Sequence, residues 1–166
     1  MKRSGMKHPP KKKHTNKVRK PPVEPLSEDE RSALAQQEFD KSVLHLEEAE
    51  SLSGWGKTPN ACAHSAYYAM HHCAAAAILA AGGVGKRKDV PKSHEHVIEH
   101  FGKLTESEPG FLGDAGRALS RARTDRDVAD YQLERSVSSA DAAATTIEAR
   151  KFVDACAAKW GFTKST

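Results

Sequence analysis

Cysteine is scarce: the 166 residues include only three. An odd count argues against a disulfide scaffold. Cys62 and Cys73 fall in one predicted helix. At ~1.5 Å per residue they stand about 16 Å apart, beyond the reach of a bridge. A reducing, cytoplasmic compartment is the expectation. Long apolar runs are also missing. The longest, residues 74–81, is mostly alanine, and a membrane span needs about 20 residues. No apolar signal segment follows the basic N-terminus, so a soluble chain with no membrane partner is expected. No stretch alternates at period two, so no strand is predicted, and no internal repeat is visible. The length fits one domain, and 38% hydrophobic residues suffice for one core.

The net charge of +4 conceals two opposed parts. Residues 1–25 carry nine Lys/Arg and one acid, Glu24, for a local charge of +8. The remaining residues carry −4. The tail is rich in lysine and proline, and it cannot bury enough apolar surface to offset its ordering entropy. Residues 1–25 are therefore expected to be a disordered basic tail, of a kind that can bind nucleic-acid backbones. The folded part, 26–162, is not a basic protein.

After Pro25 the signals are helical. Ser27-Glu28-Asp29-Glu30 is a capping box. The helix it opens sets Ala35, Phe39, Val43, Leu46 and Ala49 on one side and stops near Gly54. Thr58-Pro59 reads as a cap followed by proline at the first helical position, and that second helix runs to Gly82-Gly83. Gly82 to Pro91 reads as a solvated loop. Ser93 caps a short third helix through Val97, Phe101 and Leu104. A fourth runs from about Gly110 to Tyr131. Ser138 or Ser139 caps a fifth, to about Trp160. The second helix carries a stripe of small side chains (Cys62, Ala66, Ala69, Cys73, Ala76, Ala77, Ala80), which lets another backbone approach closely. The expected fold is all-α: an antiparallel up-and-down bundle of four long helices plus one short helix. A second copy using part of that surface would make a homodimer.

The fourth helix carries an anomaly. Leu112, Ala115, Leu119 and Ala122 define its apolar side. At 100° per residue Arg126 and Asp130 fall on that same side, with Arg123 at its margin. Charges rarely face a core unless paired, and these two, four residues apart, can pair. One reading is a structural ion pair that fixes the register of an interaction module. The other is a cleft in which Arg126 meets an anion. A planar guanidinium suits phosphate because it donates two hydrogen bonds at once, and the Tyr131 phenol follows it directly.

The run His64-Ser65-Ala66-Tyr67-Tyr68-Ala69-Met70-His71-His72 resembles the second helix of HEPN domains. The later run Arg126-Asp127-Val128-Ala129-Asp130-Tyr131 is similar to the motif region of one bacterial branch of that superfamily. Together with the segment from Ser93-His94 to Phe101, the resemblance covers about residues 27–160. It implies a four-helix bundle, often dimeric. In active members a motif arginine and a later histidine form a metal-independent ribonuclease site, and many members pair with a nucleotidyltransferase-type antitoxin. Here Arg126 matches the arginine and Asp127 the polar residue, but Tyr131 stands where histidine belongs. Unperturbed tyrosine titrates near ~10 and is a poor base at neutral pH. The expected ligand is RNA or a nucleotide. Arg126, Asp130 and Tyr131 are the catalytic candidates; Arg123, Arg126, Asp127, His64, Tyr67 and His71 are the binding candidates. His64, His71, His72 and His94 are candidate substitutes for the missing histidine.

No cofactor is implied. The run from His94 to His100 lacks the His-Glu-x-x-His spacing of a zinc protease, and no further ligand accompanies His96 and His100, so no metal site is expected. Gly82-Gly83-Val84-Gly85-Lys86 lacks the spacing and the preceding strand of a phosphate loop.

Overall fold

The computed structural model describes residues 25–82, 84–86, 89–91, 93–132 and 136–164. All regular structure among them is helical: α1 (Glu28–Trp55), α2 (Pro59–Ala80), α3 (His94–Thr105), α4 (Phe111–Tyr131) and α5 (Ser139–Trp160). The basic tail lies outside the described residues except for Pro25. No helix among them is long and apolar enough to cross a membrane.

The starts and stops follow local chemistry. Ser27 Oγ accepts the Glu30 amide at 3.1 Å, and the Glu30 carboxylate accepts the Ser27 amide at 3.0 Å. This reciprocal cap satisfies two of the donors a helix start leaves open. Ser93 caps α3 by accepting from His96 N. Ser138, not Ser139, caps α5 by accepting from Asp141 N. Thr58 departs from expectation. It makes no capping bond, and its hydroxyl is buried without a partner. Proline at the first position of α2 has no N–H to satisfy, which removes part of the need for a cap. Gly56 ends α1 at φ +68°, a left-handed conformation that favours glycine.

α2 packs against all four other helices. From Cys73 to Leu79 it is buried all the way round. Of the predicted small-residue stripe only Ala80 is exposed, at the helix end. Large side chains from every helix meet α2: Phe39 and Leu46 of α1, Phe101 of α3, Leu119 of α4 and Phe152 of α5, each buried. Full burial of one such side chain stabilises by roughly 1.5–3 kcal/mol. The loop after α2 is not simply solvated. Val84 is buried in the core, Pro91 is also buried, and Gly85 O accepts the Leu26 amide at 3.1 Å. An apolar valine there gains more from the core than from water.

Two contacts fix α4. A smaller apolar cluster of Cys62, Ala63, Val137 and Ala142 receives Val128 and Ala129. Beside it, Asn60 Nδ2 donates to Ala129 O at 3.3 Å, and Asn60 Oδ1 accepts from Val137 N at 3.1 Å. At the crossing of α3 and α4, a Cβ at Gly116 would stand 2.9 Å from the Gly102 Cα. Backbone, not a flexible side chain, occupies that space. Gly116→Ala is expected to cost about 1–3 kcal/mol by overpacking, read as a fall in Tm of roughly 2–4 °C per kcal/mol. An unchanged Tm would show that the crossing can relax.

Candidate functional site

The spacing on α2 that would bury an apolar stripe instead carries rings. His64, Tyr68 and His72 recur every four residues, and Tyr67 and His71 form a parallel row. α1 offers Glu38, His45 and Glu48 at helical spacing. α3 offers His94 at its first turn, and α4 offers Arg126 and Asp130 near its last. These residues converge around Tyr68.

Arg126 is the charged centre, its side chain only 11% exposed. Nη1 donates to Asp127 Oδ1 at 3.1 Å. Nη2 faces the Tyr68 and Tyr131 phenol oxygens, each at 3.4 Å. The guanidinium carbon lies 5.7 Å from the Tyr68 ring centre and 5.1 Å from that of Tyr131, within cation–π range. Nε is 2.6 Å from Asp130 Oδ2, an ion pair by distance. Its N–H is misaligned, so this buried nitrogen makes no hydrogen bond. Burial works against the Arg126 charge, but the Asp127 hydrogen bond and the neighbouring acidic groups outweigh it and hold its pKa above the ordinary value.

Asp130 has a second partner. His64 Nδ1 lies 3.1 Å from each of its carboxylate oxygens, joining α2 to α4. The imidazole of His64 packs 4.8 Å from the Tyr68 ring. On the other side, Tyr67 Oη is 2.6 Å from His94 Nδ1, and His94 lies 4.8 Å from His71. His45 and His72 stack in parallel at 5.4 Å. His72 Nδ1 meets Glu38 at 2.7 Å, and Ser65 donates to Glu48 at 2.9 Å. Arg123 pairs with Glu95 and lies 3.7 Å from Asp127. With Ile98, Glu99, Ser120 and Thr124 these three residues line a cleft of about 470 Å³ beside Arg126.

Burial sets the titration of the cluster. It pushes His71 down to about 4, helped by the charges of His94 and His72. It also lowers His94, helped by Arg126 and Arg123, and lowers His45, helped by His72. Burial raises the Tyr67 phenol. For Glu38 burial works upward, but the His72 hydrogen bond, with Lys41, brings its pKa down to about 2.

The structure therefore brings together Arg126, Asp127, Asp130, Tyr131 and His64, with Arg123 at the edge. Tyr131 is 70% exposed. Tyr67 and His71 stand apart. Both are buried, so neither offers the ligand-contacting surface expected of it. α2 is packed on several sides, and the residues one step round the helix, His64 and Tyr68, take the outward position. Asp130 is engaged by Arg126 and His64, which limits it as a direct orienter of phosphate. Sequence reasoning missed Tyr68 as the hub, together with Glu38 and His45. The readable signal was a polar row at spacing 38-45-48 on α1, beside the buried row Phe39, Val43 and Leu46. Among the described residues no group of three or more His, Cys, Asp or Glu is placed to hold a metal ion.

No family model matches this chain, and no curated protein matches it.

His71 yields a pH prediction. Its ordinary value is 6.5 and its folded value about 4, so below pH 6.5 the unfolded chain binds the extra proton. Stability is then full above pH 6.5 and is lost as pH falls towards 4. The shift corresponds to a loss of up to about 3 kcal/mol. Lowered His94 and His45 act in the same direction. Nδ1 of His71 is buried without a hydrogen-bond partner. In thermal melts from pH 7 to 4, His71→Gln should lose less stability than wild type. Parallel curves would remove His71 as the source.

Proposed function

We propose that this chain is an HEPN-like helical protein that binds the phosphates of an RNA or nucleotide at Arg126. In this reading it is a degenerate metal-independent ribonuclease of a toxin–antitoxin or defence system. Its helices form an antiparallel up-and-down bundle, it acts as a homodimer in the cytoplasm, and its protein partner is a nucleotidyltransferase-type antitoxin. The basic tail adds sequence-independent attraction to a phosphate backbone.

One observation carries the reading. Arg126 is nearly buried, yet among the described residues its Nη2 edge meets two phenol oxygens, both at the long limit of hydrogen bonding. A phosphate oxygen there would form shorter, charge-assisted bonds. The Tyr131 phenol is positioned to join it. Arg123 lines a neighbouring cleft, with Glu95, Glu99 and Asp127.

A second reading has its own support. Asp127 and Asp130 already balance Arg126, as they would in a purely structural ion pair. The protein is then a non-enzymatic interaction module. Arg126→Ala separates the two. Under the phosphate reading its affinity for a fluorescent RNA oligonucleotide falls roughly 10- to 100-fold, the worth of a charge-assisted contact, while the helical fold persists. Under the module reading RNA affinity is absent or unaffected, and Tm falls because the ion pair that joins Arg126 to Asp127 and Asp130 is gone. Tyr131→His, which restores the motif histidine, should cut RNA faster than wild type.

A further inference from the structure

The motif position that should supply a base holds a phenol, but the helices bring two imidazoles to the same guanidinium. Their ring nitrogens are not equivalent. Asp130 is a carboxylate and only accepts hydrogen bonds. His64 Nδ1, 3.1 Å from both of its oxygens, therefore carries the proton, and Nε2 keeps its lone pair. No hydrogen bond among the described residues engages that Nε2, and the side chain is 41% exposed. His94 is held the other way round. Among the described residues the buried Tyr67 hydroxyl has one hydrogen-bond partner, His94 Nδ1 at 2.6 Å. If Nδ1 donated, the phenol proton would be left buried with no acceptor, a costly arrangement. Tyr67 therefore donates, Nδ1 accepts, and His94 Nε2 carries the hydrogen. Burial raises the Tyr67 phenol, which keeps its proton in place for this bond.

Both imidazoles lean on one ring. His64 and His94 lie 4.8 and 5.8 Å from the centre of Tyr68, whose hydroxyl faces Arg126 Nη2. A lone pair, a fixed N–H and a guanidinium thus surround a single tyrosine. The Asp–His pair is the usual arrangement of a base with its orienting group.

We propose that His64 is the general base of this site and that His94 donates a hydrogen bond to the phosphate held by Arg126. This assignment rests on the phosphate-binding reading and names its substrate as RNA with a free 2′-hydroxyl. Nε2 of His64 takes the 2′-hydroxyl proton as the 2′-oxygen bonds to phosphorus. The bond from phosphorus to the 5′-oxygen breaks, and that oxygen takes a proton from water. The imidazolium then returns its proton to solvent. The products are a 2′,3′-cyclic phosphate and a 5′-hydroxyl. Asp130 and Tyr67 are positioning residues that fix the two tautomers.

The test uses the full chain in EDTA with two oligonucleotides of one sequence, RNA and its 2′-O-methyl analogue. Wild type should cut the RNA to cyclic phosphate ends and bind the analogue uncut. His64→Gln should lose about 100-fold or more in cutting, the typical worth of a general base, while binding the analogue within about threefold of wild type. Imidazole ¹⁵N spectra should show the proton on Nδ1 of His64 and on Nε2 of His94. Tyr67→Phe should mix the His94 tautomers and slow cutting. Three results would each overturn the assignment while leaving phosphate binding intact: analogue binding without RNA cutting, full cutting by His64→Gln, or a proton on Nε2 of His64. Failure of wild type to bind the analogue would overturn the phosphate reading and this assignment together.

Discussion

The size of the side chains on α2 governs the molecule. From Cys73 to Ala77 every side chain is small and buried, and neighbouring helices close over the backbone. Immediately before it, over about two and a half turns, the same helix carries His64, Tyr67, Tyr68, His71 and His72. There the neighbours answer with polar groups: Glu38 and Glu48 from α1, His94 from α3, Arg126 and Asp130 from α4. Apolar packing holds one half of the rod, and polar satisfaction holds the other. Burying a polar group is costly unless it is paired, and apart from His71 Nδ1 and Arg126 Nε the polar atoms of the cluster are interlocked.

The electrostatics of the cluster are balanced rather than positive. Arg123 and Arg126 stand against Glu95, Asp127 and Asp130. The part of the chain after residue 25 carries −4, whereas residues 1–25 carry +8. The positive charge of the chain is therefore concentrated in its N-terminal segment. What the helices contribute at short range is direction, since each charged or polar side chain is held by a neighbour on another helix.

Much of the fold was legible because helix punctuation is local. The caps at Ser27, Ser93 and Ser138 are decided by bonds within three residues and proline at 59 by its own ring, and the four helices they open start where these signals put them. Thr58 shows the limit, since its cap reading was sound by residue type but the backbone geometry gives its hydroxyl no amide. The buried Val84 shows another, because what surrounds a loop residue depends on chain far from it. In the site, Arg126 with Asp130 was legible because both lie on one helix four residues apart. The meeting of His64 with Asp130, or of Tyr67 with His94, was not. Those pairs join different helices, and their rotation and height are set by the whole core. Hence Tyr67, expected among the ligand-binding residues, is buried, while Tyr68 beside it is the hub.

Asn60 extends the site beyond its own members. Asp130 and Tyr131 occupy the final turn of α4, where a helix ordinarily frays and where neither a glycine stop nor a basic residue closes the end. One carboxamide, from the first turn of α2, accepts the Val137 amide and donates to the Ala129 carbonyl. It clasps both sides of the α4–α5 connection at the level of the site. Slow amide exchange at Val137 would report that clasp. The orientation of Asp130 towards His64 is thus supported by an asparagine whose side chain bonds instead to Ala129 and Val137.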